Sequence, residues 1–256
     1  MKVLVKLGGA LVDTDSDRQS LSAQLAAQAG QAKIVVVHGG GKQMTRFLAE
    51  RGVESRFVDG LRVTTPEVVD AVLKVFAGSV NHQLVSALVA AGASAVGLSG
   101  IDASLAEAVQ LRPELGAVGK VVRSNPAVLN TLVDAGFLPV VACVAGDRAG
   151  NVYNVNADLM AVACAAAYEA DSLLFLTDVD GVRGSDSKVL PRLTIAESRQ
   201  LIADGVATGG MQAKLNAACE ALESGVGEVI IAPGSAPDVI ARLLAGEDFG
   251  TRMVRA

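Results

Sequence analysis

The chain has 256 residues, 51% of them apolar and 19% charged, enough to bury a large core and too apolar for a disordered protein. A net charge of −5 argues against nucleic acid or an anionic membrane as the main partner, so any attraction for anionic ligands has to be local. The three cysteines, Cys143, Cys164 and Cys219, lie apart in apolar surroundings and read as buried reduced thiols, which points to the cytosol.

The amino terminus runs MKVLVKLGG straight into a strand, with no apolar signal segment, and the longest apolar stretches (Ala161–Tyr168, Leu173–Leu176) read as too short to span a bilayer. Strands are expected at Val3–Lys6, Ile34–Val37, Ala95–Leu98, Pro139–Cys143, Leu173–Leu176 and Val229–Ala232, each a short apolar run closed by Gly, Asp or Pro. Helical periods fall between them, near 17–29, 42–51, 66–91, 126–135, 157–169, 195–204, 210–225 and 237–245. Five end on a glycine suited to a C-cap: Gly52, Gly92, Gly136, Gly205 and Gly225. The alternation predicts an α/β fold, an αβα sandwich around a mainly parallel sheet, with ligands at the carboxyl ends of its strands. Val53–Val63 and Ser104–Arg123 read as hairpins on the sheet edge. Along 66–91, the apolar positions Val68, Val72, Val75, Phe76 and Leu84 suit either the core or a dimer face.

The residues able to carry chemistry cluster at those strand ends and helix starts. Lys6 closes the first strand beside Gly8 and Gly9, where a lysine can reach a phosphate and the glycines admit its oxygens. Val37-His-Gly-Gly-Gly-Lys42 occupies the next strand-to-helix junction, with Gly40 and Gly41 free to aim N–H groups at an anion; it fits neither the P-loop nor the dinucleotide pattern. His38 itself reads as a packed, hydrogen-bonded residue. Asn154-Val-Asn-Ala-Asp158 opens a helix with Asn156 as N-cap, which leaves Asn154 and Asp158 unexplained by capping. Asp178 and Asp180 follow the strongest strand, where a metal, a ribose or a plain Asp-Gly turn are all open readings. Lys214 lies in the first turns of a helix, a position the helix dipole disfavours unless an anion is bound. There is no Ser-His-Asp set and no Cys/His metal spacing. A kinase for an alcohol needs a base, whereas a carboxylate acceptor is already ionised at pH 7. Its problem is repulsion between two anions, and lysines, Mg²⁺ and helix N-termini answer it.

In order and spacing, KLGGA (6–10), VHGGG (37–41), DGLRVT (59–64), VGLSG (96–100), NVNAD (154–158), LTDVDGV (176–182) and GGMQAKLNAA (209–218) resemble the amino-acid kinase family over essentially the whole chain. Within it, the likeness is to members that phosphorylate N-acetyl-L-glutamate with ATP in arginine biosynthesis. The resemblance implies that Lys6 and Lys214 stabilise the transferring phosphoryl group and that Asp158 holds both lysines. Gly8, Gly9, Gly40 and Gly41 would donate N–H groups to the phosphoryl oxygens and the carboxylate. Arg62 would clamp the α-carboxylate and Asn154 the acetamido group. Asp178, Val179, Asp180, Gly181, Val182 and Arg183, with Val206, Ala207 and Thr208, would line the adenosine pocket. Mg²⁺ would be held mainly by the ATP phosphates, with no protein ligand. The resemblance also implies an acyl-amino-acid lobe over 1–170, a nucleotide lobe over 171–256 and a homodimer through the helix from Pro66. Because the chain begins at its first strand, that dimer is expected to be insensitive to arginine. The loop GIDAS (100–104), in the substrate region of the family, departs from the usual pattern. Two competing readings are a kinase for carrier-linked 2-aminoadipate in lysine synthesis and a non-catalytic amino-acid sensor of the same fold.

Overall fold

A computed structural model describes all residues 1–256. The strands are β1 (Lys2–Leu7), β2 (Lys33–His38), β3 (Phe57–Val58), β4 (Leu61–Arg62), β5 (Ala95–Ser99), β6 (Ala106–Gln110), β7 (Gly119–Ser124), β8 (Leu138–Ala142), β9 (Val144–Gly146), β10 (Val152–Asn154), β11 (Ser172–Thr177), β12 (Arg192–Thr194), β13 (Glu228–Pro233) and β14 (Thr251–Val254). The helices are α1 (Asp15–Gln28), α2 (Gly41–Ala49), α3 (Pro66–Val72), α4 (Asn81–Ala90), α5 (Ala127–Asp134), α6 (Ala157–Tyr168), α7 (Ile195–Ala203), α8 (Gly209–Glu223) and α9 (Val239–Leu244), with a π-helical segment, Leu73–Val80, joining α3 to α4.

Eight strands form the main sheet in the order β12-β14-β13-β11-β1-β2-β8-β5. From β13 to β5 every pairing is parallel, and β14 turns antiparallel against β13. The six strands expected from the sequence are the six parallel ones, with β5 at one edge of the sheet. β11 and β8 are buried along their whole length, whereas only Ser99 of β5 is buried. Two helical layers cover them: α1 packs on α4 and α9, while α6 packs on α8, which carries α7. A single cluster of 66 buried residues runs through both halves of the chain. The five helix-ending glycines have φ between +68° and +105°, the left-handed geometry that stops a helix.

Three expectations are amended. The hairpins do not stand on the main sheet's edge. β3–β4 is a two-stranded unit of its own, and β6–β7 joins β9 and β10 in a separate four-stranded sheet. One edge is β5 and the other is β12 beside β14; β12 and β14 carry Arg192 and Arg252 and lacked an apolar run to reveal them. Residues 66–90 form one 25-residue helical run that is long and apolar enough, by length and composition, to cross a membrane. Its apolar side faces the core: Val68, Val72, Val75, Phe76 and Leu84 are all buried, so these five are not a dimer face.

Candidate active site

The sheet order puts β1 between β2 and β11, with the chain's first half continuing on one side and its second half on the other. That is the point where a crevice opens beyond the carboxyl ends of parallel strands. Lys6 at the end of β1, the Gly39–Gly41 turn after β2 and Thr177–Asp178 after β11 all face it.

Three elements meet at one carboxylate. Asn156 caps α6, its side chain accepting from the N–H groups of Asp158 and Leu159, and this fixes Asp158 in the first turn. Lys6 Nζ lies 2.7 Å from one carboxylate oxygen of Asp158, and Lys214 Nζ, from α8, donates to the other at 3.2 Å. The three side chains are only 10 to 16% exposed. Burial pushes the Asp158 carboxyl up, but the two ammonium groups overcome it and hold the pKa below the ordinary value. Burial pulls Lys214 down, opposed by Asp158 and reinforced by the charge of Lys6. Two cations share one buried anion, and Asp178, which borders both arms of the cleft, adds a weaker attraction for Lys214.

The cleft has two arms that share Thr177 and Asp178. The smaller, about 470 Å³, is bordered by Lys6, the Gly8–Ala10 and Gly39–Lys42 turns, Thr45, Phe57 and Arg62. The larger, about 960 Å³, runs along the start of α8 from Gly209 to Ala217, past Asp158, and under Asp59–Leu61 of the β3–β4 hairpin. The backbone N–H groups of Gly9, Gly40 and Gly41 have no carbonyl partner and border the smaller arm. Gly8 departs from the expectation: its N–H donates to the Leu176 carbonyl at 2.9 Å. Its lack of a side chain matters for close approach, since a Cβ there would stand 3.1 Å from that same oxygen.

Arg62 is 8% exposed and has no carboxylate within ion-pair reach. Its guanidinium donates to Ser55 Oγ, to Thr45 Oγ1 at 2.8 Å and to the Gly41 carbonyl at 3.2 Å, and lies 4.6 Å from the Phe57 ring centroid. Burial without a counter-anion lowers its pKa. Asn154 does not border either arm. Its amide donates to Thr64 Oγ1 at 3.1 Å, and that hydroxyl donates to the Arg62 carbonyl at 2.9 Å, so Asn154 is tied to the Arg62 segment through Thr64.

Of the residues expected around adenosine, only Asp178 and Val179 border the larger arm. Asp180 and Arg183 pair with each other at 3.1 Å, Gly181 packs against Thr251, and the Val182 N–H donates to Thr251 Oγ1. Val206 and Ala207 precede the cavity wall, and Thr208 is the N-cap position of α8. The 100–104 loop lies outside both arms, held by Asp102, which accepts from the Ser99 N–H and hydroxyl. Sequence reasoning passed over Lys42, Thr45, Thr177 and Asp59–Leu61 as cavity residues; only the Asp-Gly pair at 59–60, a hairpin-turn signature, carried a local signal.

The family model of the amino acid kinase family matches residues 1–233. The chain belongs to this family. An acetylglutamate kinase of Solibacter usitatus (strain Ellin6076) is 65% identical to it, with 100% of both chains covered. An acetylglutamate kinase of Acidobacterium capsulatum is 44% identical over 94% of each chain. Among solved structures, N-acetylglutamate synthase from Neisseria gonorrhoeae superposes with a TM-score of 0.88 at 23% identity, covering all of this chain and 59% of that one. Carbamate kinase from Giardia lamblia superposes with a TM-score of 0.71 at 20% identity, covering 100% and 98%. Both likenesses are of fold.

Proposed function

We propose that the chain transfers the γ-phosphoryl group of ATP to the side-chain carboxylate of N-acetyl-L-glutamate, forming ADP and N-acetyl-L-glutamyl 5-phosphate in arginine biosynthesis. The observation that carries the reading is the buried Lys6–Asp158–Lys214 cluster, two ammonium groups held on one carboxylate, with Lys6 bordering one arm of the cleft and Lys214 the other. The acetylglutamate kinases that align over the whole chain support the choice of acceptor.

The acceptor carboxylate is ionised before it binds, so the site needs no general base. It has to bring two anions together, and charge placed in advance does this without reorganisation during the reaction. Lys6 and Lys214 neutralise the equatorial oxygens of the transferring group, and Asp158 orients both. The N–H groups of Gly9, Gly40 and Gly41 donate to the phosphoryl oxygens and the attacking carboxylate. Arg62 receives the α-carboxylate as the counter-anion its own surroundings lack. Asn154 acts on the acetamido end, directly or through Thr64. The nucleotide occupies the larger arm along α8, so residues 171–256 serve ATP and 1–170 the acyl amino acid. Mg²⁺ would enter on the ATP phosphates and add positive charge between the reacting groups. The working form is proposed as a cytoplasmic homodimer joined through the solvent side of residues 66–90, where Leu73 and Val89 are exposed.

The test is trapping of the acyl phosphate by hydroxylamine, with Mg-ATP and N-acetylglutamate, glutamate or N-acetylaminoadipate in parallel. Hydroxamate from N-acetylglutamate alone is expected. Product only from the longer acid would move the enzyme to lysine synthesis, and none from any acid would refute a carboxylate kinase.

A further inference from the structure

Directly behind the Gly39–Gly41 turn lies a buried polar pair that the reaction itself does not use. His38 is 0% exposed and Asn81, the first residue of α4, is 2% exposed. The Asn81 amide approaches His38 Nε2 at 3.0 Å and donates to the Val140 carbonyl at 2.9 Å. His38 Nδ1 lies 2.7 Å from the Gly39 carbonyl. An amide NH₂ group and a carbonyl on opposite sides of one ring allow a single neutral tautomer: the proton sits on Nδ1, and Nε2 accepts.

We propose that Asn81 and His38 are positioning residues for phosphoryl transfer, locking the peptide between Gly39 and Gly40 so that the Gly40 N–H points into the cleft. The argument rests on the geometry of a trans peptide, in which the C=O and the following N–H point in opposite directions. His38 draws the Gly39 carbonyl inward, toward the core. The Gly40 N–H is thereby directed outward, into the arm that Gly40 borders, and it has no other backbone partner. From behind, Phe76 and Val80 of the π-helical segment seat the turn. A Cβ on Gly40 would stand 3.0 Å from the Phe76 ring and 3.2 Å from Val80. Asn81 is itself held in place, since a Cβ on Gly97 would stand 2.1 Å from its side-chain oxygen. The ring fixes the direction of the donor, the amide fixes the tautomer of the ring, and the helix fixes the amide.

This inference rests on the carboxylate-kinase reading, so its test starts from wild-type hydroxamate formation. The amide nitrogen of asparagine can replace Nδ1, while glutamine can reach only the position of Nε2. His38→Gln therefore loses the inward bond and His38→Asn keeps it. Turnover in His38→Gln is expected to fall at least tenfold, with the KM for ATP and for the acyl amino acid changed less than threefold, and His38→Asn should recover most of that loss. Equal losses in the two variants would overturn the positioning role and leave the carboxylate-kinase reading intact, whereas an inactive wild type would remove both. A second measurement needs no variant. The chain has only two histidines, so a ¹⁵N spectrum of histidine-labelled wild-type protein resolves both rings. A proton on Nδ1 of His38 supports the proposal, and a proton on Nε2 refutes it.

Discussion

Replacing Asp158 by Asn tests the charge cluster, because it keeps the shape of the side chain and removes the one negative charge between two buried ammonium groups. The three side chains are 10 to 16% exposed, so solvent can compensate only in part. Removing one partner of a buried ion pair costs about 3–5 kcal/mol. The new amide can still accept from one lysine, which places the loss at roughly 3 kcal/mol. For a chain of this size that lowers Tm by about 6–12 °C. The phosphates of ATP supply the missing negative charge, so MgATP should raise the Tm of Asp158→Asn by more than it raises that of the wild type. Turnover should still fall at least ~100-fold, because the lysines are no longer held where charge develops. Thermal melts with and without MgATP, together with hydroxamate rates, read all three quantities. A Tm loss below about 2 °C, or the same ligand-induced shift in both proteins, would refute the idea that Asp158 balances two unpaired lysines.

Three other outcomes are expected. Burial holds His38 at about 4 against an ordinary 6.5, so between those pH values the unfolded chain binds a proton that the folded one does not. Stability should therefore fall as pH drops through this window, by up to ~1.4 kcal/mol per pH unit. Urea unfolding at pH 7, 6 and 5 should show the slope and His38→Asn should flatten it; an unchanged slope would assign it to other groups. Arg62→Ala removes a charge-assisted clamp and should raise the KM for the acyl amino acid about 10- to 100-fold with a smaller effect on the KM for ATP. An unchanged KM would count against the clamp. Ala103 sits at φ +50°, ψ +28°, a left-handed conformation that costs an L-residue roughly 1 kcal/mol. Ala103→Gly should raise the unfolding free energy by ~0.5 kcal/mol after the entropy of glycine is counted, read as a higher urea midpoint, and a lowered midpoint would show the strain to be absent.

The central strands were legible because parallel strands covered on both faces are short, β-branched and apolar, a pattern that needs no tertiary context. β12 and β14 lacked that signature, being three and four residues long with an arginine in each. Which sheet a hairpin joins is a long-range matter, and nothing local in 104–123 separates an edge hairpin from a second sheet. Lys6, Asp158 and Lys214 each stood out at an element's end, yet their meeting depends on β1 lying beside β11 and on α8 packing against α6. Asn81 gave no signal at all: one amide in an apolar helical period is invisible until its partners on β2 and β8 are in place. The contact that organises the turn expected at the adenosine was equally hidden, since Thr251, which takes the Val182 N–H and packs on Gly181, comes from the chain's last strand.

The π-helical segment gives the run from Pro66 to Ala90 a property that a uniform helix lacks. Each π ring encloses one more residue than an α ring, so the face presented by α3 and the face presented by α4 are set out of phase. Residue count thus becomes a rotational setting. Rewound as an ordinary α-helix with the same residues, the segment would turn everything beyond it by about 100° more and carry it about 1.5 Å further along the axis. Asn81 would swing away from His38 with no active-site residue changed. Removing one exposed position such as Lys74 together with that rewinding would cancel the turn, so the surplus residue held in the π segment is what keeps Asn81 in phase with the catalytic turn.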